Sequence, residues 1–264
     1  MPATPASAGR IRFAPLTARS VLLSVLLGSH PPELPVRTLV RLAEVFGISE
    51  GAARVALSRL GSDGEVLASE GVYRLSPRLL SRQSEQDRAV KPLTRRWRGG
   101  WELAVAAPEV SAGERSAIGA DLGRLRLAEL RPGVWARPDN LVRPWPSDTS
   151  TGLWRFSGRP GSGDPSPGEL AGRLWDLQGW SLTAESLMSS LRAATDTAER
   201  FVVAAAIVRH LREDPVLPQA LLPRQWPGDR LRSAYEAYRR ELRLLMRQEL
   251  DHSSDPAGPR ARIL

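Results

Sequence analysis

Arg54, Ser58 and Arg59, within the stretch ARVALSRL, carry the sharpest chemical expectation in the chain. A guanidinium offers a rigid fork of donors that matches a guanine edge or a phosphate at two points, and a hydroxyl both donates and accepts. Positions 54 and 58 are four apart, so they share one face of a helix. Ala53, Ala56, Leu57 and Leu60 fall on the other side, which leaves Gly51, Arg54, Val55, Ser58 and Arg59 pointing outward. A small, lightly basic face of this kind suits the major groove of DNA. Arg54 and Ser58 are expected at base edges and Arg59 at a phosphate, a contact that fixes register without reading sequence.

The neighbouring elements must hold that face in place. Val36, Leu39, Val40, Ala43 and Phe46 recur at three- and four-residue steps and predict a helix with one apolar side. Gly47 can take the left-handed conformation that ends it. Ser49 is a good N-cap for the next helix, and Glu50 places negative charge on its first turn. A leading helix is expected over Thr17 to Leu27, capped by Thr17 and stopped at Gly28. Glu65-Val66-Leu67 and Val72-Tyr73-Arg74-Leu75, joined by Ala68-Ser69-Glu70-Gly71, predict a hairpin wing that carries Arg74. The order helix, helix, helix, hairpin is that of a winged helix-turn-helix, expected over residues 14–78.

The chain of 264 residues has a net charge of +8, with arginine supplying nearly all of the basic side and Lys91 the single lysine. Such a charge suits a polyanionic partner. Arginine is scattered along the whole chain, however, and a GC-rich coding sequence would produce the same skew. There is no cysteine, so disulfides and thiolate chemistry are excluded. His30, His210 and His252 lie far apart, with none at metal-ligand spacing, and no metal or cofactor is expected. Arg10 and Arg12 precede an apolar run from Val21 to Leu27, but Ser24 interrupts it and no cleavage site stands out. No apolar run approaches membrane-spanning length, and a cytoplasmic protein is expected.

Beyond the wing, Arg78 to Lys91 reads as a linker helix or loop. A central unit over 91–178 opens with an alternating strand at Trp101, Leu103 and Val105, followed by a helix near Glu114 to Leu122. Two strands meet at Arg131-Pro132-Gly133, another strand lies at Thr151 to Phe156, and a helix near Gly168 to Leu177 closes the unit. This α+β succession predicts a small ferredoxin-like sandwich. A helical domain is expected over 179–251, with inward positions at Leu182, Leu187, Met188 and Leu191, then Phe201, Val202, Ala205, Val208 and Leu211, then Leu231, Tyr235, Tyr238, Leu242 and Leu245. Residues 1–13 and 252–264 read as flexible tails.

Enzymatic motifs are missing. The stretch GSGDPSPG at 161–168 lacks the strand, Lys and Ser/Thr of a phosphate cradle, and no strand-elbow surrounds any serine. Catalytic residues are therefore not expected.

The winged segment, RRWRGGWELAVAAP, GVWARPDNL, LWDLQGW and the DP…LP…LLP…WPG pattern of residues 214–228 together resemble the PaaX family of bacterial transcription regulators. The resemblance spans nearly everything from Ala18 to Leu242. It implies three parts: a winged helix-turn-helix, a central domain akin to the ferredoxin-like Cas2 fold, and a helical C-terminal domain. It further implies a homodimeric repressor on a double-stranded, palindromic operator, released by an acyl-CoA such as phenylacetyl-CoA. Arg54, Ser58 and Arg59 fall where the family has its reading helix. The wing departs from the family in carrying only Arg74 beside Glu70. Arg10 and Arg12 are candidates to compensate in the minor groove.

For the effector, Trp135, Arg137 and Asn140 of GVWARPDN and Arg224 and Trp226 of LLPRQWPG combine flat rings with guanidiniums able to pair phosphates. A tryptophan flanked by Pro and Gly also commonly pins a turn to a core. Two other functions stay open at this point. One is a Cas2-like metal-dependent nuclease, for which Glu102 is the single strand carboxylate and a poor Mg²⁺ site alone. The other is an interaction scaffold without DNA contact.

Overall fold

The computed structural model describes residues 16–145 and 152–254. The chain is a mixture of helices and two antiparallel sheets, and it divides into two compact units. The first gathers residues 1–90, 185–212 and 230–264; the second gathers 91–184 and 213–229.

The first unit begins with α1 (Ala18–Gly28), β1 (Glu33–Pro35), α2 (Val36–Val45) and α3 (Glu50–Ser62). A hairpin follows, β2 (Val66–Ser69) and β3 (Val72–Leu75), then α4 (Pro77–Val90). Thr17 caps α1 and Ser49 caps α3, as their sequence positions predict. Between α2 and α3 the N–H groups of Gly47 and Ile48 bond back to the carbonyls of Glu44 and Ala43, with Gly47 at φ +74°. The sheet order is β1-β3-β2, with Leu34 opposite Tyr73 and Ala68 opposite Tyr73 on the other side. β1 escapes sequence reading because three residues ending in proline show no alternation; its edge position tolerates that proline. The hairpin turn is tighter than expected. Ala68 and Ser69 stay in the strand, and only Glu70 and Gly71, both at positive φ, make the turn, as a two-residue hairpin of primed type requires.

The stretch expected as a linker helix or loop, 78–91, is helical through Val90 as α4, and α4 belongs to this unit. Its buried Gln83 donates its side-chain amide to the carbonyls of Leu27 (3.0 Å) and Ser29 (2.9 Å), satisfying acceptors that the end of α1 leaves free. Two long helices from the far end of the chain, α8 (Thr197–Glu213) and α9 (Gly228–Ser254), complete the same core. Phe201, Ala204, Tyr238 and Met246 join Leu22, Leu26, Leu39, Leu57 and Leu60 in one apolar cluster. The helical region 179–251 therefore does not stand as a third separate body: most of it packs with the first unit.

The second unit contains β4 (Trp101–Ala106), α5 (Ala112–Arg124), β5 (Ala128–Arg131), β6 (Val134–Pro138), β7 (Leu153–Gly158) and α6 (Pro167–Leu174). It also takes the first half of α7 (Leu177–Ala193) and the 3-10 turn Gln219–Leu221. The sheet order is β5-β6-β4-β7, antiparallel throughout. Along β4, Trp101 and Leu103 pack with Ala136, Ala171 and Leu217, while Ala104 and Ala106 pack with Leu122 and Trp135. That alternation was the visible part of the strand. A ferredoxin-like sandwich carries a helix on each crossover. Here α5 links β4 to β5, but no helix lies among the described residues between β6 and β7. The helix expected near 168–177 is α6, which ends at Leu174, with α7 starting at Leu177, and Leu182 of α7 lies exposed. All eight tryptophans of the chain belong to this unit.

Phe201 should be a strong test of the shared core in the first unit. It is buried and its ring lies 4.6 Å from that of Phe46. Phe201→Ala is expected to cost about 3–5 kcal/mol in urea unfolding, the range for emptying a packed aromatic site.

Candidate nucleic-acid interface

α3 presents the outward face that its sequence predicts. Ala53, Ala56, Leu57 and Leu60 are buried, and Gly51, Arg54, Val55, Ser58 and Arg59 are exposed. Val55 is 52% exposed, a branched apolar side chain with no core to serve. Such a group matches the methyl of thymine in a major groove. Ser49 accepts a hydrogen bond from the N–H of Ala52 at the helix start (3.4 Å). Its hydroxyl is thus engaged in capping.

Arg54 is not idle. Its Nε donates to Glu50 Oε1 at 2.8 Å, one helical turn back, with both side chains more than half exposed. An exposed pair of this spacing is worth only ~0.3–0.5 kcal/mol, so a phosphate or guanine can displace it cheaply. Arg59 makes no such pair among the described residues. Arg74 stands on β3 opposite Glu33 and Leu67, next to Tyr73, which packs toward the core. Alternation along the strand then turns Arg74 to the outer face of the sheet. Of the residues expected at DNA, α3 brings Gly51, Arg54, Val55, Ser58 and Arg59 onto one exposed surface, whereas Ser49, also expected there, is its cap and Arg74 lies apart on the sheet. Arg10 and Arg12 lie outside the described residues.

Arg37 was missed. It is exposed in the first turn of α2, and the N–H of the residue before it, Val36, donates to the carbonyl of Gly71 in the hairpin turn (2.8 Å). That bond brings the hairpin turn to the start of α2. The signal in the sequence was an arginine in the first turn of the helix that leads into the turn before α3.

The candidates for an effector site separate into two groups, both in the second unit. Arg137 and Asn140 are buried, at 0% and 2% exposure. Arg137 donates to the carbonyls of Arg126 (3.2 Å) and Val216 (3.3 Å) and to Asn140 Oδ1 (2.9 Å), and Asn140 donates to the same Val216 carbonyl (3.0 Å). Glu102, its cross-strand neighbour, sits 3.4 Å from Arg137 and also pairs Arg143. Burial pushes the Glu102 carboxyl up, against the pull of Arg143 and Arg137. Burial pushes the Arg137 guanidinium down to about 9, still charged at neutral pH. Trp135 is buried beneath α5, where a Cβ on Gly119 would come within 3.3 Å of its ring. These three side chains are spent on internal packing and hydrogen bonding. Trp226 stacks on Trp180 with centroids 4.4 Å apart, pinning the turn that follows Pro223, while Arg224 is exposed beside it.

The same cluster bears on the nuclease alternative, since the Glu102 carboxylate is engaged by two guanidiniums. Among the described residues no group of three or more His, Asp or Glu is placed to hold a metal. No helix there is long and apolar enough to cross a membrane.

Two predictions follow from these contacts. Ser49→Ala should cost about 0.5–2 kcal/mol, measured by chemical denaturation, for loss of a helix cap. Arg137→Leu should cost more, about 3–5 kcal/mol, because it leaves Glu102 and the Val216 carbonyl short of a buried partner.

A family model described as PaaX-like protein matches residues 17–79, and one described as PaaX-like protein C-terminal domain matches residues 176–251. The C-terminal match runs through both units. A solved structure of an uncharacterized protein from Mycobacterium tuberculosis is similar at 44% sequence identity and a TM-score of 0.77, covering 89% of this chain and 99% of that one. No curated protein matches the chain. The exposed face of α3 lies inside the first matched segment, and the chain belongs to the PaaX-like family, a family of transcriptional regulators.

Proposed function

We propose that the protein binds an operator in double-stranded DNA by laying the exposed face of α3 in the major groove. The observation that carries this reading is the division of α3: Ala53, Ala56, Leu57 and Leu60 anchor it, while Gly51, Arg54, Val55 and Ser58 face solvent on a helix braced by α1 and α2. Three helices together with a β1-β3-β2 sheet, in which β1 lies between α1 and α2 and the β2-β3 hairpin follows α3, support the reading of the amino-terminal part as a winged helix-turn-helix. The strand order β5-β6-β4-β7 supports a ferredoxin-like reading of the second unit.

In this reading Arg54 leaves Glu50 for a guanine edge, Ser58 and Val55 line the same groove, and Arg59 and Arg37 hold phosphates. Gly51 lets the backbone approach the DNA closely, and Arg74 is a lesser, peripheral contact. The protein acts as a homodimeric repressor whose two reading helices sit ~34–36 Å apart on successive turns of a palindromic site. Release by an acyl-CoA of the phenylacetyl type completes the mechanism: an effector that favours a different helix spacing lowers operator affinity by its differential binding to the two states.

Footprinting on the protein's own genome, followed by titration on the protected fragment, tests this. Arg54→Ala is expected to weaken operator binding about ten- to a hundredfold and to relax preference at one base pair. Arg59→Ala should weaken binding evenly across sequences and lower the slope of log affinity against log salt by about 1. Unchanged promoter occupancy in the Arg54→Ala, Ser58→Ala double variant would remove the proposal.

A further inference from the structure

A cavity of about 380 Å³ opens within the first unit, away from the exposed face of α3. Three helices contribute stripes at helical spacing: Thr17, Ser20, Leu23, Ser24 and Leu27 from α1 with its cap; Phe201, Ala204, Ala205, Val208, Arg209 and Arg212 from α8; and Tyr235, Tyr238, Arg239, Leu242, Arg243 and Met246 from α9. α4 adds Arg82 and Gln86. Its size lies in the range of small-molecule sites.

The lining has two chemistries. Leu23, Phe201, Val208, Tyr238, Leu242 and Met246 form an apolar wall. Six arginines surround it. Three of these are occupied: Arg19 pairs Asp63 and Glu65, Arg212 pairs Glu85, and Arg239 pairs Asp87. Arg82, Arg209 and Arg243 make no ion pair among the described residues. All three are exposed, on three different helices around one opening. Like charges gathered without counter-ions repel one another, and an anion relieves that repulsion.

A second observation lies in the wall of the cavity. Tyr238, one of its lining residues, is 7% exposed, and its buried hydroxyl has no hydrogen-bond partner among the described residues. A buried hydroxyl without a partner costs free energy that a ligand acceptor would return. The Nε of neighbouring Arg239 is likewise buried and unsatisfied.

We propose that this cavity binds an organic anion with an apolar body, the body seated against Phe201, Tyr238 and Met246 and the anionic group held by Arg82, Arg209 and Arg243. The proposal rests on the regulator reading for its biological sense and relocates the effector from the second unit to the first. Phe201 gives the site a route to DNA binding: it lines the cavity and also packs on Phe46, which closes α2 immediately before the turn into α3. A ligand that moves Phe201 acts on that turn without crossing to another unit.

Isothermal titration on the full chain tests the site with phenylacetyl-CoA, phenylacetate and coenzyme A as probes. The first two separate a phosphate-bearing head from a carboxylate head; coenzyme A alone lacks the apolar acyl body. Binding of either acyl compound, with coenzyme A at least tenfold weaker than its thioester, is expected. The Arg209→Glu, Arg243→Glu double variant alters two exposed, unpaired side chains, so its fold should persist, as circular dichroism will verify. It should weaken binding at least tenfold. Ala205→Trp should block the cavity and weaken binding similarly, whereas Arg54→Ala should leave it unchanged. Equal affinity of the wild type and both cavity variants, or no heat with either acyl compound, would overturn the site. Operator binding is measured separately and would stand or fall with α3 alone.

Discussion

One carbonyl oxygen organises the second unit. Val216 accepts hydrogen bonds from both Arg137 and Asn140, while its own N–H donates to Asp214 Oδ1 at 2.7 Å. The residue is held at φ +49°, a conformation a β-branched side chain avoids. Such strain persists only where the surroundings over-determine it, and three hydrogen bonds do so here. The segment between α8 and α9 is thereby fastened to β6, and Leu217 and Leu221 from that segment pack with Trp101 and Ala136. GVWARPDNL and DPVLP, two of the stretches that carry the family resemblance, are hydrogen-bonding mates.

A buried guanidinium needs several partners to offset its desolvation. Arg137 has backbone carbonyls, the Asn140 amide oxygen and Glu102 for that purpose. Arg143 shares Glu102 and lies 5.0 Å from the ring of Trp145, while Arg155 lies 4.1 Å above it. The charge of Arg137, Arg143 and Arg155 is thus tied to internal structure, while Arg96, Arg98, Arg131 and Arg224 of the same unit are exposed. In the first unit several arginines remain exposed on α3, at the start of α2 and around the cavity. The overall basic composition did not foretell which arginines are internal and which exposed; only position does.

The elements of the first unit were legible because local signals agreed with one another. Ser49, Glu50 and Gly47 marked the turn into α3, and the apolar spacing of Ala53, Ala56, Leu57 and Leu60 fixed its orientation. In the second unit the capping box of Ser111 and Glu114 went unread, and α5 begins at Ala112, two residues before the expected start. What the sequence hid was long-range. Nothing local at Arg78 to Lys91 indicates that Gln83 reaches back to close α1. Nothing in α8 or α9 indicates that Phe201, Tyr238 and Met246 finish a core begun near residue 20. The buried fate of Arg137 and Asn140 was hidden for the same reason, since their acceptor lies 76 to 79 residues away. Polar side chains chosen by chemistry alone look like ligand groups until their partners are known.

The uneven placement of indole rings has an optical consequence. With all eight tryptophans in the second unit, intrinsic emission follows that body alone, and Phe46, Phe201, Tyr235 and Tyr238 leave the other nearly dark. A single tryptophan engineered beside α3 would therefore add its signal to a bright, unrelated background. An extrinsic label on a cysteine, a residue type this chain lacks altogether, would give the DNA-facing half a spectroscopic voice of its own.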